Sequence, residues 1–213
     1  SIGTANGACV DTPAGSQAID AGTNFESCPI GSSNPNLHGT CSLCADGSYA
    51  ALVGQVNCDD IPAGNYATYP PSGGASGYSP CPAGKYHPLG TDQLSNCILC
   101  PVGRYADVPG LAICTDVPAG QYTSDADSNG EGATAIAECP AGTYHPQGTT
   151  DQSNCIPCAA GTYTAITGEG SCTSAGAGFY VPATSATEQL SCAVNTFSGG
   201  AATVCTNCIP GES

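Results

Sequence analysis

Four CxxC pairs are the residues of this chain best spaced for chemistry: Cys41 and Cys44, Cys97 and Cys100, Cys155 and Cys158, and Cys205 and Cys208. Two cysteines so close can exchange disulfides when one is a low-pKa thiolate, and two such pairs can enclose zinc in four thiolates. A second constellation lies in DADSNGEGATAIAE, where Asp125, Asp127, Asn129 and Gly130 match the first half of a calcium loop. Its second half does not match, because Ile136 stands where the bidentate Glu belongs and Glu138 comes two residues late. A solvated turn is expected there, with calcium on Asp125, Asp127 and Asn129 as the rival, and no other cofactor is implied. His38, His87 and His145 fall in loops, the last two in a repeated YHP. Duplication marks those two as structural, no Ser-His-Asp triad can be argued from the three, and the chain is not expected to be an enzyme.

The elements that hold these groups are limited by composition. The 213 residues include 29 Gly, 17 Pro and 16 Cys, with 3 Phe, no Trp and no Met. Such a chain has little to build a conventional core from, and its Gly and Pro interrupt any run long enough for a helix. Disulfides are expected to replace the core, which implies an oxidising compartment and an extracellular or cell-surface location. Two basic residues against 17 acidic ones give a net charge of -15. That balance excludes the basic footprint needed for nucleic acid or anionic membrane and implies a self-repelling, soluble surface. No apolar stretch approaches the roughly 20 residues that span a bilayer, so no membrane insertion is expected within this segment. The chain opens with Ser1 and without a signal-like segment, and is read as a mature product or a fragment.

Repetition organises the chain. CPAGKYHPLGTDQLSNCILCPVGRYADVPGLAIC from Cys81 and CPAGTYHPQGTTDQSNCIPCAAGTYTAITGEGSC from Cys139 are duplicates, and the larger period is roughly 50 to 58 residues. Inside it runs a finer unit, G-x-Y after a small residue or Pro, at Tyr49, Tyr66, Tyr86, Tyr105, Tyr122, Tyr144, Tyr163 and Tyr180. An aromatic at a fixed offset from a cystine is expected to pack over the bridge and the neighbouring module. The glycine supplies positive φ, so each unit reads as a turn followed by short extended strands.

Each period divides into three modules, two bounded by cysteine and one without it. The cysteine-free modules have Thr12, Ile61, Val117 and Ala175 at the opening position and Phe25, Tyr78, Ile136 and Gln189 at the closing one. Both cysteines are lost together each time, as expected if the two positions bond to each other, since losing one would strand a reactive thiol. This predicts consecutive bridges: Cys28 with Cys41, Cys44 with Cys58, Cys81 with Cys97, Cys100 with Cys114, Cys139 with Cys155, Cys158 with Cys172, and Cys192 with Cys205. Each closes a loop worth about 3 kcal/mol by chain entropy. The cysteines of a CxxC then belong to neighbouring modules, which sets aside both the redox and the zinc readings.

Cys9 and Cys208 are left as complementary halves. Joining CIPGES to SIGTANGAC puts thirteen residues between them, as in CADGSYAALVGQVNC. The expected organisation is residues 1–27 as a closing half-module plus a cysteine-free module, triads at 28–80, 81–138 and 139–191, and 192–213 as the opening of a fourth triad completed by the next copy. Copies joined by peptide bond and chains joined through Cys208 and Cys9 both satisfy that junction, and a head-to-tail contact of this kind propagates as a filament.

The PAGxY and CxxC pattern covers nearly the whole chain and resembles the cysteine-rich repeats of ciliate surface immobilization antigens. More distantly, through its CPxGxY opening alone, it is similar to ephrin-receptor-like and tumour-necrosis-factor-receptor modules. The first resemblance implies a structural role in a surface coat. It is not extended to a lipid anchor, because no hydrophobic tail accompanies the repeats. The expected fold is a small disulfide-rich repeat, an extended rod or solenoid of short β-loop modules without a helix bundle or globular core. The expected function is a homopolymeric filament or surface coat, whose partners are further copies of itself. Covalent glycan on Ser and Thr is open, whereas no N-x-S/T acceptor occurs. The rival is a ligand-binding receptor ectodomain; variation confined mainly to residues 69–78 and 123–135 favours the scaffold.

Overall fold

The computed structural model describes residues 11–19, 24–36, 39–71, 73–126 and 131–209. Cys9, His38, Asp127, Asn129 and Gly130 lie outside the described residues.

The repeating element begins at the P-A-G-x turn. In Pro62-Ala63-Gly64-Asn65 the N–H of Asn65 donates to the Pro62 carbonyl at 3.2 Å, and Gly64 sits at φ +80°. That is the third position of a type II turn, where positive φ is required. Two strand residues follow and pair antiparallel with the two that precede the next opening position: Lys85–Tyr86 with Ile98–Leu99, Thr143–Tyr144 with Ile156–Pro157, and Thr162–Tyr163 with Thr173–Ser174. The next opening residue then donates its N–H to the carbonyl of the turn glycine, as from Ile61 to Gly47 (2.8 Å), Cys139 to Gly120 (2.8 Å) and Ala175 to Gly161 (2.9 Å).

Every sheet among the described residues is one such pair of strands. Single 3-10 turns, Leu94–Asn96 and Gln152–Asn154, occupy equivalent places in the two duplicated stretches. No helix among the described residues is long and apolar enough to cross a membrane. The chain is thus a disulfide-rich repeat of short β-hairpin modules without a helix bundle.

The modules fall into two compact units, Ser1–Leu99 with Val108–Cys114, and Cys100–Asp107 with Thr115–Ser213. Within the first, the turn glycine of one module donates to the residue after the strand tyrosine position of the next: Gly15 to Asn34 (2.9 Å), Gly31 to Ala50 (2.8 Å) and Gly64 to His87 (2.8 Å). A return bond reaches the opening carbonyl from the following loop, from Gly54 to Cys28 (2.8 Å) and from Gly110 to Cys81 (2.9 Å). Within the second unit the same pair of bonds recurs, from Gly142 to Thr164 (3.1 Å) and Gly161 to Val181 (2.8 Å), and back from Gly168 to Cys139 (3.0 Å) and Ser185 to Cys158 (2.8 Å).

Within each unit this ladder buries two sets of small side chains. One is the opening position, buried whether it holds Cys28, Ile61, Cys81, Val117, Cys139 or Ala175; the other is the residue after the tyrosine, Ala50, Ala67, Ala106, Thr123, Thr164 or Val181. Neighbouring backbone lies so close that large side chains have no room. A Cβ on Gly120 would meet the Gly168 carbonyl oxygen at 2.0 Å, and one on Gly64 would meet that of Gly110 at 2.1 Å.

Candidate functional site

The chemistry of this molecule is concentrated where a module's opening and closing positions meet. Cys28 bonds to Cys41, Cys44 to Cys58, Cys81 to Cys97, Cys139 to Cys155, Cys158 to Cys172 and Cys192 to Cys205. Cys100 and Cys114 are disulfide-bonded too. The two cysteines of the Cys41/Cys44 pair, and those of the Cys155/Cys158 pair, are therefore committed to different modules, which leaves no vicinal dithiol for exchange at either. No group of three or more potential metal ligands occurs among the described residues. Cys208 is the exception within them, an exposed free thiol whose N–H bonds back to Asn195 at 2.9 Å, in the register of the other opening residues.

The cysteine-free modules close by other means. Three have longer hairpins than the two-residue pairs of the cystine modules. Ser16–Ile19 pairs with Asn24–Ser27 over four positions, Asn65–Thr68 with Gly77–Pro80 over four, and Gln121–Thr123 with Ile136–Glu138 over three. In the second of these, Ile61 packs with Ala67, Ala75 and Tyr49. Tyr78, at the closing position, meets Tyr49 edge to face with ring centroids 5.2 Å apart, a geometry favoured by the ring quadrupoles. The fourth, whose strands Phe179–Tyr180 and Leu190–Ser191 pair over two positions, replaces the cystine with a hydrogen bond. The Gln189 side-chain oxygen, at the closing position, accepts from the backbone N–H of Gly176 at 2.8 Å.

Asp125 belongs to this same set of closures. Its carboxylate accepts from the N–H of Thr134 (3.0 Å) and of Ala135 (2.9 Å) and from the Thr134 hydroxyl. Partial burial pushes its pKa upward, but these three donors outweigh burial and hold the carboxyl below the usual range. The residue proposed from sequence as a calcium ligand is thereby the clasp of its own loop.

The sequence-selected tyrosines, Tyr49, Tyr66, Tyr86, Tyr105, Tyr122, Tyr144, Tyr163 and Tyr180, are all half-buried on the first strand of their hairpins. Four of them also bridge in parallel to the next module's loop: Tyr66 to Thr91, Tyr86 to Leu111, Tyr105 to Ala133 and Tyr122 to Thr149. His87 and His145 occupy the stacking position after the tyrosine. Their carbonyls accept from Gly64 and Gly120, both at 2.8 Å, and their Nδ1 atoms face the carbonyls of Leu89 and Gln147 two residues on. What sequence reasoning missed is the second buried set. Its only signal is the small residue following Tyr49, Tyr66, Tyr105, Tyr122, Tyr163 and Tyr180.

One open groove of about 510 Å³ is lined by Val102, Gly103, Asp116, Val117, Ala119, Pro146, Gln147 and Gly148. It lies where a Cβ on Gly103 would meet nothing within 4 Å, in contrast to Gly120 and Gly142. Asp116 is paired across the hairpin with Arg104, Nε to Oδ1 at 2.6 Å, and the lining carries no nucleophile beside a base.

No family model matches the chain. Over 146 residues, 68% of its length, it is 30% identical to the rat and mouse proteins named sushi, von Willebrand factor type A, EGF and pentraxin domain-containing protein 1. The chain spans about 4% of the length of those relatives. Disulfide content and this likeness together put the chain among extracellular, cysteine-rich modular proteins.

Proposed function

We propose that the chain is a structural protein of an extracellular filament or surface coat, built by head-to-tail repetition of its disulfide-stapled modules, and that it works mechanically and not as an enzyme. The observation that carries this reading is Cys208. It is an exposed free thiol held in the register of an opening residue, thirteen residues from Cys9 when one copy is written after another. Support comes also from the modules themselves, which hydrogen-bond to one another within each unit through a recurring set of backbone groups, so that one module can follow another in the same register. The resemblance to ciliate immobilization antigens favours a coat as the site of use. Similarity to a multidomain extracellular protein is compatible with a scaffold segment inside a longer chain.

The test is the size of the native material on a denaturing gel, run without and then with reductant. Interchain bonding predicts a ladder that collapses to about 21 kDa plus any glycan. Tandem peptide linkage predicts material that stays large after reduction. A single small species in both lanes sinks the head-to-tail reading and favours a receptor ectodomain in its place.

A further inference from the structure

We propose a further, mechanical function: the chain is a length-limited spring in which the cysteine-free modules extend under tension and the cystine modules act as stops. In the oxidised chain, tension entering at Cys139 leaves at Cys155 through the disulfide, and tension entering at Cys158 leaves at Cys172. The loops between them never carry the load. Only two residues separate one bridge from the next at each CxxC. The extensible length is therefore confined to the stretches outside the cystine loops that contain a cysteine-free module: the residues before Cys28, and those from Cys58 to Cys81, from Cys114 to Cys139, and from Cys172 to Cys192.

Fully extended, the first of these stretches spans about 95 Å and the other three about 80, 85 and 70 Å respectively. They also differ in what resists extension. Between Cys58 and Cys81 stand a four-position hairpin, the Ile61 cluster and the Tyr49–Tyr78 ring pair. Between Cys114 and Cys139 stand a three-position hairpin and the Asp125 clasp. Between Cys172 and Cys192 stand a two-position hairpin and the Gln189 bond, and Ser185 there holds a left-handed φ of 58° without being glycine. Of the three stretches that lie between cystines, that from Cys172 to Cys192 is the first to yield, and that from Cys58 to Cys81 the last.

This holds for a single chain however copies are joined, so its failure and that of the filament reading are seen in different experiments. The test is single-molecule pulling of the full chain through tags added at both ends, oxidised and then reduced. The oxidised chain is expected to lengthen in discrete events no larger than those four spans, the one of about 70 Å coming at lower force than those of about 80 and 85 Å. Reductant is expected to add increments of about 45–55 Å, the lengths of the cystine loops. Ala175→Cys combined with Gln189→Cys restores a loop with the 14-residue separation of Cys158–Cys172. It is expected to abolish the event of about 70 Å until reductant is added. Cystine-loop increments in the oxidised chain, one event releasing the whole length, or first yielding between Cys58 and Cys81 would each overturn the proposal.

Discussion

Modules 158–175 and 175–192 are built alike and closed differently. Each has a turn glycine at positive φ, Gly161 and Gly178, a two-position hairpin, and equal spacing from opening to closing residue. One joins those residues as Cys158–Cys172; the other has Ala175 and Gln189. Both opening residues are buried, Cys158 to 0% and Ala175 to 1% exposure. The opening position is therefore a core site before it is a crosslinking site. Any small or apolar residue satisfies its burial, while the closing residue, half-buried at both Cys172 and Gln189, decides whether the closure is covalent, aromatic or polar.

The largest test of that contrast removes a covalent closure. Cys158→Ala with Cys172→Ala keeps the opening site apolar and deletes only the bond. A loss of about 3 kcal/mol is expected from the freed loop, read as a lower urea midpoint and as faster amide exchange confined to residues 158–175. If the double variant keeps its stability, the backbone ladder alone carries the cystine modules. The matching change in a cysteine-free module is Ile61→Ala, which empties the contact with Ala67, Ala75 and Tyr49. A cost of about 2–4 kcal/mol follows from lost burial and the cavity left behind. It falls on a different module, and the two losses are expected to add.

Much of this arrangement was legible in the sequence, because a crosslink constrains two positions together. Thr12 with Phe25, Ile61 with Tyr78, Val117 with Ile136 and Ala175 with Gln189 are departures from cysteine in pairs, and the structure bonds the positions that remain cysteine in the same register. Turn and strand were equally plain from G-x-Y, since the third position of the turn needs a positive φ that glycine adopts without strain. The substitute closures were not legible. Asp125 carries half of a calcium signature, and its bonds to Thr134 and Ala135 depend on how the intervening loop folds back. Gln189 is an ordinary surface residue until the hairpin brings it to the N–H of Gly176. The buried set after the tyrosines was hidden for another reason: Ala and Thr are common in loops, and their burial comes from backbone of the next module, which no local pattern announces.

The Asp125 clasp gives a smaller effect with a pH signature. Its pKa is lowered in the folded chain from an ordinary 3.8. The stability it contributes is therefore complete above the unfolded value and fades as pH falls through the folded one. Asp125→Ala is expected to cost about 1 kcal/mol at neutral pH, since solvent screens the charge, and nothing further in strong acid, where wild type has already lost it. Urea midpoints of the two proteins at pH 6 and pH 2 test this directly. A gap that persists at low pH would mean that the side chain fills space there and does not act through its charge.

The smallest effect concerns backbone strain in the last modules. Gly54, Gly110 and Gly168 supply the loop N–H that bonds the opening carbonyl of the preceding module, and all have positive φ. Ser185 and Ala201 do the same work, at φ 58° and 56°. A non-glycine residue in that region costs about 1–2 kcal/mol, whereas glycine gives back roughly 0.4–1 kcal/mol as extra freedom of the unfolded chain. Ala201→Gly is thus expected to stabilise by up to about 1 kcal/mol, while Gly110→Ala destabilises by a similar amount. The sign separates the two explanations for these residues. If Ala201→Gly destabilises, the methyl group is packed and the strain is balanced locally; if it stabilises, module 192–208 has a looser ladder than the modules that use glycine.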